Sequence, residues 1–410
     1  MTAVLSVNPI SDPQPRWICC QLGAREHYSI PRALYGLGQL RSLVTDAWML
    51  PGDWGGQLPG LRRLGDRFHP TLATAPVTAF TPALLRFEAT HRVCQTPPWL
   101  RTVARNQWFQ AHAGTALRHL AATDPRPHIL FSYSYAGLQL GQIAQELGWP
   151  FVLGQIDPGV VDEQRWQAVP DAYWDDWRAE CALATQILVN SPWSEESLVA
   201  EGVPPEKLRV VPLAYEPEGA IAQAQQTFQR QYPAVFSGDR PLRVLFLGQA
   251  IPRKGIKELL EAADLLQGQP VEFWIVGAAS VELQAAYPNP VIRWLGAVPR
   301  SATHSYYQQA DVFLFPTHSD GFGLTQLEAQ AWNLPLITSR FCGSVVTEQG
   351  NGWVLPEVTP EAIAHILRHC LQFPACLTHA AAHTSHAPEF RLPHLQTTLQ
   401  QLTQDLLPSR

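Results

Sequence analysis

Short apolar runs bounded by turn-forming residues alternate along this chain with stretches of helical periodicity. The first set of strand-like runs lies at 17–22, 128–132, 151–153, 186–189 and 209–212, with helical stretches near 30–44, 136–147, 171–183 and 193–201. Between 213 and 240 the strand rhythm lapses and the segment ends in a turn-rich SGDRP. It restarts at 243–247 and continues at 271–276, 291–295, 312–315 and 336–338, with helices near 254–267, 302–310, 323–333 and 359–372. A last helical pattern, about 391–407, follows a Pro- and His-rich loop. Alternation of this kind predicts the α/β class, with two Rossmann-like, doubly wound parallel-sheet domains. The expected division is an N-terminal domain at 1–213, a linker at 214–240, a second domain at 241–388 and a C-terminal helix at 389–410 packing back across the hinge. Ligands in such sheets sit beyond the carboxyl ends of the strands, so two facing units predict an interdomain cleft.

Composition agrees with this picture and narrows the function. At roughly 150 residues per domain, 410 residues are enough for two or three. No apolar run approaches the ~18 residues of a membrane-spanning helix. The opening MTAVLSVNPISDPQPRW lacks a basic n-region and an apolar h-region, and a cytoplasmic chain is expected. The seven cysteines form no CxxC pair, which points to reduced, mostly buried thiols and no zinc site. A net charge of −6 argues against nucleic-acid binding but hides an asymmetry. Residues 1–126 carry 13 Arg against 7 acidic residues, whereas 127–410 carry 16 basic against 28 acidic, so an anion is expected to meet the N-terminal part.

Three segments carry candidate chemistry. In HSDGFGLTQLEAQAWNLPLI (318–337), a strand ends in a Gly-rich turn and a helix is expected from near Gly323. Backbone N–H groups at such a point form an anion site. Asp320 precedes the turn and Glu328 follows eight residues later, where a carboxylate can accept two hydrogen bonds from a ribose diol; the plainer alternative is an N-cap and a solvated Glu. In GQAIPRKG (248–255), Arg253 and Lys254 open a helix against its dipole, a conflict that a bound anion relieves. Only 3 of the 29 basic residues are lysine, and two of them are Lys254 and the nearby Lys257, which singles out Lys254 as a point charge for phosphate rather than a solubilising residue. In QLGAREHYSIPRAL (21–34), Gly23 permits close approach of a ligand, and Arg25, Glu26 and His27 place three polar functions directly after a strand; a surface Arg–Glu pair is the alternative.

The 318–337 segment resembles the E-x7-E signature of retaining glycosyltransferases of family 4, with Asp320 in the first position. RVLFLGQAIPRKGIKELLEAADLL (243–266), WLGAVPRSATHSYYQQADVFLFP (294–316) and EQGNGWVLP (348–356) are similar, in order, to the rest of that family's donor domain, and ILVNSPWSEESLVAEGVPPEKLRVVPLAYEP (187–217) to the end of its acceptor domain. The resemblance implies a GT-B fold clasping a nucleotide sugar, and retaining transfer of the sugar to a glycan, lipid or small-molecule acceptor. Arg253, Lys254 and Asp320 are then the catalytic candidates. Donor binding falls to Gly23, Gly248, Gly277, Val298, Gly321, Phe322, Gly323, Leu324, Thr325 and Glu328, with the base read largely by backbone near Gly277 and Val298. Arg25, His27 and Asp157 are candidate acceptor or sugar contacts. The family often carries a histidine near the donor sugar, where this sequence has Gln155-Ile156-Asp157; Asp157-Pro158 is also a plain turn initiator. No cofactor or metal is expected, because Arg253, Lys254 and backbone N–H groups can stabilise the leaving diphosphate. A weakened sugar-nucleotide-binding relative and a nucleotide-sugar epimerase on the same fold are the competing expectations.

Residues 61–118 hold eight Arg against two acidic residues, with Trp, Leu, Val and Phe interleaved at near-helical spacing over 97–110. A core-facing helix with a solvated basic face is the common origin of such a stretch. The alternative is contact with an anionic acceptor or with an anionic membrane, peripherally at its inner face.

Overall fold

The computed structural model describes residues 16–50, 64, 67–160, 169–217, 219–348, 350–384 and 387–407. Part of the basic segment, 61–63 with 65 and 66, lies outside the described residues. The strands are β1 (Arg16–Gln21), β2 (Leu40–Thr45), β3 (Val77–Ala79), β4 (His128–Tyr133), β5 (Phe151–Gly154), β6 (Gln186–Val189), β7 (Leu208–Val210), β8 (Leu242–Leu247), β9 (Val271–Val276), β10 (Ile292–Gly296), β11 (Val312–Phe315), β12 (Leu336–Ser339) and β13 (Gly352–Leu355). The helices are α1 (Ser29–Gly36), α2 (Thr81–Val93), α3 (Pro98–Thr123), α4 (Leu138–Glu146), α5 (Asp171–Leu183), α6 (Pro192–Ala200), α7 (Gly219–Thr227), α8 (Ile256–Leu265), α9 (Val281–Ala286), α10 (Thr303–Gln309), α11 (Thr325–Ala331), α12 (Pro360–Gln372), α13 (Ala375–His383) and α14 (Leu392–Leu406). They build a seven-stranded sheet of order β3-β2-β1-β4-β5-β6-β7 and a six-stranded sheet of order β10-β9-β8-β11-β12-β13. Adjacent strands run parallel, for example β1 beside β2 and β4, and β8 beside β9 and β11. The two doubly wound sheets expected from the alternation are therefore present.

The chain divides into two compact units, one of residues up to 153 with 176–185 and 396 onward, the other of 154–175 with 186–395. In the second unit, successive residues of each strand serve opposite faces. Val244, Phe246, Val312 and Leu314 pack with Leu259, Leu260, Ile363 and Leu367 on one side, while Leu245, Phe313 and Phe315 pack with Leu327 and Trp332 on the other. A sheet covered on both faces reads in sequence as the near-continuous apolar run seen at 243–247. The segment read as a linker carries α7 and then Arg230, whose guanidinium donates to the carbonyls of Tyr307 (2.7 Å), Ala310 and Trp332 (2.9 Å) at the C-terminal ends of α10 and α11. Cationic donors at helix C-termini satisfy carbonyls that have no partner within the helix. Arg230 thereby fixes the helix that follows the 318–324 segment.

In the first unit the helix expected over 30–44 stops at Gly36, and 40–45 is strand β2. Gly36-Leu37-Gly38 breaks the helix, with Gly38 at φ +69°, and LRSLVT then pairs with β1. The short β3 adds to β2. Near the C-terminus, Thr403 of α14 accepts from Trp17 Nε1 of β1 at 2.9 Å, a bond inside the first unit. Glu180 of α5 is fully enclosed and accepts the N–H groups of Tyr135 (2.7 Å), Gly137 (2.7 Å) and Leu138 (3.0 Å) at the start of α4. Burial outweighs these three bonds and pushes its carboxyl up to about 7. Helix α3 buries Phe109, Ala113 and Leu117 and exposes Arg101 and Arg118, which pair with Glu88 and with Glu146 (2.8 Å). Among the described residues no helix is long and apolar enough to cross a membrane.

Candidate functional site

Strands β8 and β11 are neighbours whose onward connections run to opposite sides of the sheet, so their carboxyl ends mark its topological switch point. Beyond β8 the chain passes Gly248, whose N–H donates to Val276 O at 2.9 Å, and turns through Pro252–Lys254 into α8. Gly255 closes this turn at φ +69°, and a Cβ there would lie 1.9 Å from Pro316 O. Only glycine allows the turn to sit on the end of β11. Arg253 O accepts from His318 N (2.9 Å) and Thr317 Oγ1 (3.1 Å), while Arg253 Nη1 donates to Ser319 O at 3.0 Å. His318 in turn pairs with Glu258 of α8 at 2.9 Å; burial raises the Glu258 carboxyl, but this bond and the nearby charges outweigh it and hold the group low. The two segments singled out in the sequence are thus one clasped unit.

Within it, Lys254 Nζ forms an ion pair with Asp320 Oδ2 and lies 5.3 Å from the centre of the Phe315 ring. The two charged groups sit side by side at 15% and 20% side-chain exposure, a partly dehydrated setting in which charge is weakly screened. The backbone N–H groups of Gly323, Leu324 and Thr325 make no hydrogen bond among the described residues. Helix α11 begins at Thr325, two residues later than expected, and has only seven residues. Its attraction for an anion therefore comes from these individual N–H groups and not from a long helix dipole.

Glu328 is half-buried and accepts from Tyr307 OH at 2.9 Å. Burial raises its carboxyl, against the Tyr307 bond and the charge of Arg300. Tyr307 escaped the sequence reading, since nothing in THSYYQQ distinguishes it from Tyr306 except the register that points it inward. Also unforeseen are the contacts made by α6, where Trp193 Nε1 donates to Ser319 Oγ (3.3 Å) and Ser194 Oγ to Gly321 O (3.3 Å). Gly321 brings Asp157 to the same place, because a Cβ on it would lie 2.3 Å from Ile156 O and 3.4 Å from Asp157 Cα. Asp157 Oδ1 accepts from Gln155 Nε2 and Gly159 N, both at 3.0 Å, which is the turn-forming role of an Asp-Pro pair. Phe322 is buried against Phe390, Val298 and Leu324 pack on the core around Phe313, and Gly277 N donates to Gly296 O at 2.8 Å; these residues shape the site through backbone and core.

The seven-stranded sheet has its own switch point between β1 and β4. Gly23 follows β1 at φ +79°, its N–H donating to Asp46 Oδ1 at 3.0 Å. A Cβ there would lie 2.1 Å from Arg67 Nη1, so the close approach that glycine allows is taken by a guanidinium of this chain. Asp46 is fully buried and also pairs with Arg105 at 2.6 Å and Arg67 at 3.6 Å. Arg25 lies 5.8 Å above the Tyr133 ring. Glu26, His27 and Tyr28 are all left-handed, at φ 49°, 53° and 58°, each costing on the order of 1–3 kcal/mol. Packing of Tyr28 on Trp48 at 5.4 Å and the Ser29 Oγ bond to Glu26 at 3.1 Å hold this run, which sets Arg25 at the strand end.

Two doubly wound parallel sheets, each with a candidate segment at its switch point, have the GT-B fold. Residues 241–372 match the family model for glycosyl transferases group 1. It is 26% identical over 189 residues to the amylovoran biosynthesis glycosyltransferase AmsK of Erwinia amylovora, covering 42% of this chain and 44% of the relative. It is 30% identical over 130 residues to the capsular polysaccharide biosynthesis glycosyltransferase CapM of Staphylococcus aureus, covering 29% and 34%. The chain thus spans less than half the length of these curated relatives. The crystal structure of Anabaena Alr3699/HepE in complex with UDP and glucose superposes with a TM-score of 0.61 at 13% identity, over 95% of this chain and all of that one, a likeness of fold.

Proposed function

We propose that the chain is a retaining, metal-independent glycosyltransferase that moves a sugar from a nucleoside-diphosphate donor to a hydroxyl acceptor. The observation that carries this reading is the juxtaposition of Lys254, Asp320 and the unbonded N–H groups of Gly323, Leu324 and Thr325 at the β8/β11 switch point. Together they supply a movable cation, a carboxylate and preset donors, the set that a departing diphosphate requires. Lys254 leaves Asp320 for the diphosphate, and Asp320, relieved of its partner, accepts from sugar hydroxyls. Glu328 takes the ribose, with Tyr307 orienting its carboxylate. Arg253, anchored on Ser319 O, holds the two loops together and adds charge beside the phosphates. The bond between the anomeric carbon and the phosphate oxygen breaks as the bond to the acceptor oxygen forms on the same face. The acceptor's proton passes to the departing diphosphate oxygen.

Glycosyltransferase activity of the named relatives and the UDP and glucose in the HepE structure support a nucleotide-sugar donor. The cytoplasm, where such donors are made, is the proposed place of reaction, and the basic face of 81–118 is its proposed contact with an anionic membrane. The test is thermal-shift screening against UDP-, GDP- and ADP-sugars followed by release of nucleoside diphosphate. A true donor at 100 times its dissociation constant adds about 2.7 kcal/mol of stability. No shift and no release with any donor would sink the reading.

A further inference from the structure

We propose that the first unit carries a separate oxyanion site at the β1/β4 switch point, built to hold a phosphate group on the acceptor. A cavity of about 620 Å³ there is lined by Gly23, Arg25, Arg67, Thr102, Arg105 and Asn106. That volume lies within the ~300–1,000 Å³ typical of small-molecule sites. Among the described residues, the lining holds three arginines and no acid.

The nearby carboxylates do not neutralise this set. Asp46, buried beneath, accepts from Gly23 N and Ala47 N through Oδ1 and faces Arg105 and Arg67 through Oδ2, one charge between two guanidinium groups. Glu88 closes on Arg101 and stands 3.8 Å from Arg105 Nε, and Glu26 takes the Ser29 hydroxyl. The Nε donors of Arg67 and Arg105 are buried and make no hydrogen bond. Buried donors of this kind normally find a partner, and guanidinium groups are the side chains best matched to the planar edge of a phosphate. A phosphomonoester, at about −1.5 to −2 charge, would balance the excess and take these N–H groups. The Asn106 amide adds a neutral donor on the α3 side, and Thr102, whose hydroxyl donates to Pro98 O at 3.1 Å, stands at the rim. Every group named belongs to the first unit, whereas the diphosphate groups proposed above belong to the second. Assignment of this phosphate to the acceptor rests on the donor reading; the oxyanion site itself does not.

The test uses the full chain carrying Lys254→Ala, so that the donor site does not capture the probe, and calorimetry with inorganic phosphate and with glycerol 3-phosphate. Binding is expected in this background. Adding Arg25→Gln, or Thr102→Glu, which puts a negative charge at the exposed rim without disturbing Asp46, should weaken it about tenfold or more, as expected for a lost charge-assisted bond. In parallel, sedimentation is measured with phosphatidylcholine vesicles with and without phosphatidic acid. Vesicle binding that needs phosphatidic acid and falls in both variants assigns the phosphate to a lipid headgroup. Binding of the soluble probes without vesicle binding assigns it to a soluble phosphorylated acceptor. No binding of any probe, or equal affinity in parent and variants, overturns the site. Absence of nucleoside-diphosphate binding to the wild-type chain would instead remove the donor reading and leave a positive phosphate result standing.

Discussion

The β8/β11 and β1/β4 switch points occupy the same place in two similar sheets, yet they present hydrogen-bond donors in different ways. At β8/β11 the donors are backbone N–H groups at 323–325 and a single lysine held by one carboxylate. The loops there are locked by backbone contact, as at Gly255 on Pro316. At β1/β4 the donors are guanidinium groups fanned around a buried Asp46, and the glycine is packed by a side chain. Fixed N–H groups suit a ligand part that never varies, such as a diphosphate. Long side chains tolerate variation, which suits the acceptor role proposed for the first unit.

The largest expected effect falls on the β8/β11 side. Lys254→Ala should lower turnover by roughly 10² or more, since a lost stabiliser of leaving-group charge costs ~3 kcal/mol; activity within threefold of wild type in a folded variant would break the comparison. Gly255→Ala drives a methyl onto a carbonyl that cannot move, and chemical denaturation should register a loss of about 3 kcal/mol. Neutralising the two carboxylates in turn gives a sharper contrast. Glu328→Gln should weaken nucleoside-diphosphate binding about tenfold. Asp320→Asn, by releasing Lys254, should leave that binding equal or tighter while transfer falls. Calorimetry giving equal losses in both variants would end this division of roles.

Smaller effects belong to the first unit. Glu180 prefers its protonated form in the folded chain, so its contribution is complete below the ordinary value of 4.5 and is lost as pH rises through about 7. Between pH 6 and 8 the unit should lose about 1.4 kcal/mol. Melting of wild type against Glu180→Gln isolates this slope, and parallel curves would refute it. Gly23→Ala should cost least, about 1 kcal/mol, because the far end of Arg67 can move and only the left-handed backbone resists. A loss comparable to that of Gly255→Ala would mean that Arg67 is as fixed as a carbonyl.

Much of the second sheet was legible along the chain because its strands are apolar on both faces, and a run such as RVLFL needs no partner to be recognised. The Lys254 and Asp320 candidates were equally visible, since a rare lysine beside a glycine turn and an acid before a second glycine turn are local signals. Strand β2 was not, because LRSLVT reads as the tail of a helix until β1 is beside it. The pairing of Lys254 with Asp320 and the Tyr307 bond to Glu328 depend on distances across 66 and 21 positions that only folding fixes. The arginines of the first unit make the same point. Their number and net charge are set by the sequence, but Arg25, Arg67 and Arg105 line one cavity only because Asp46, buried just beyond the end of β2, gathers two of them by charge while the left-handed run 26–28 delivers the third.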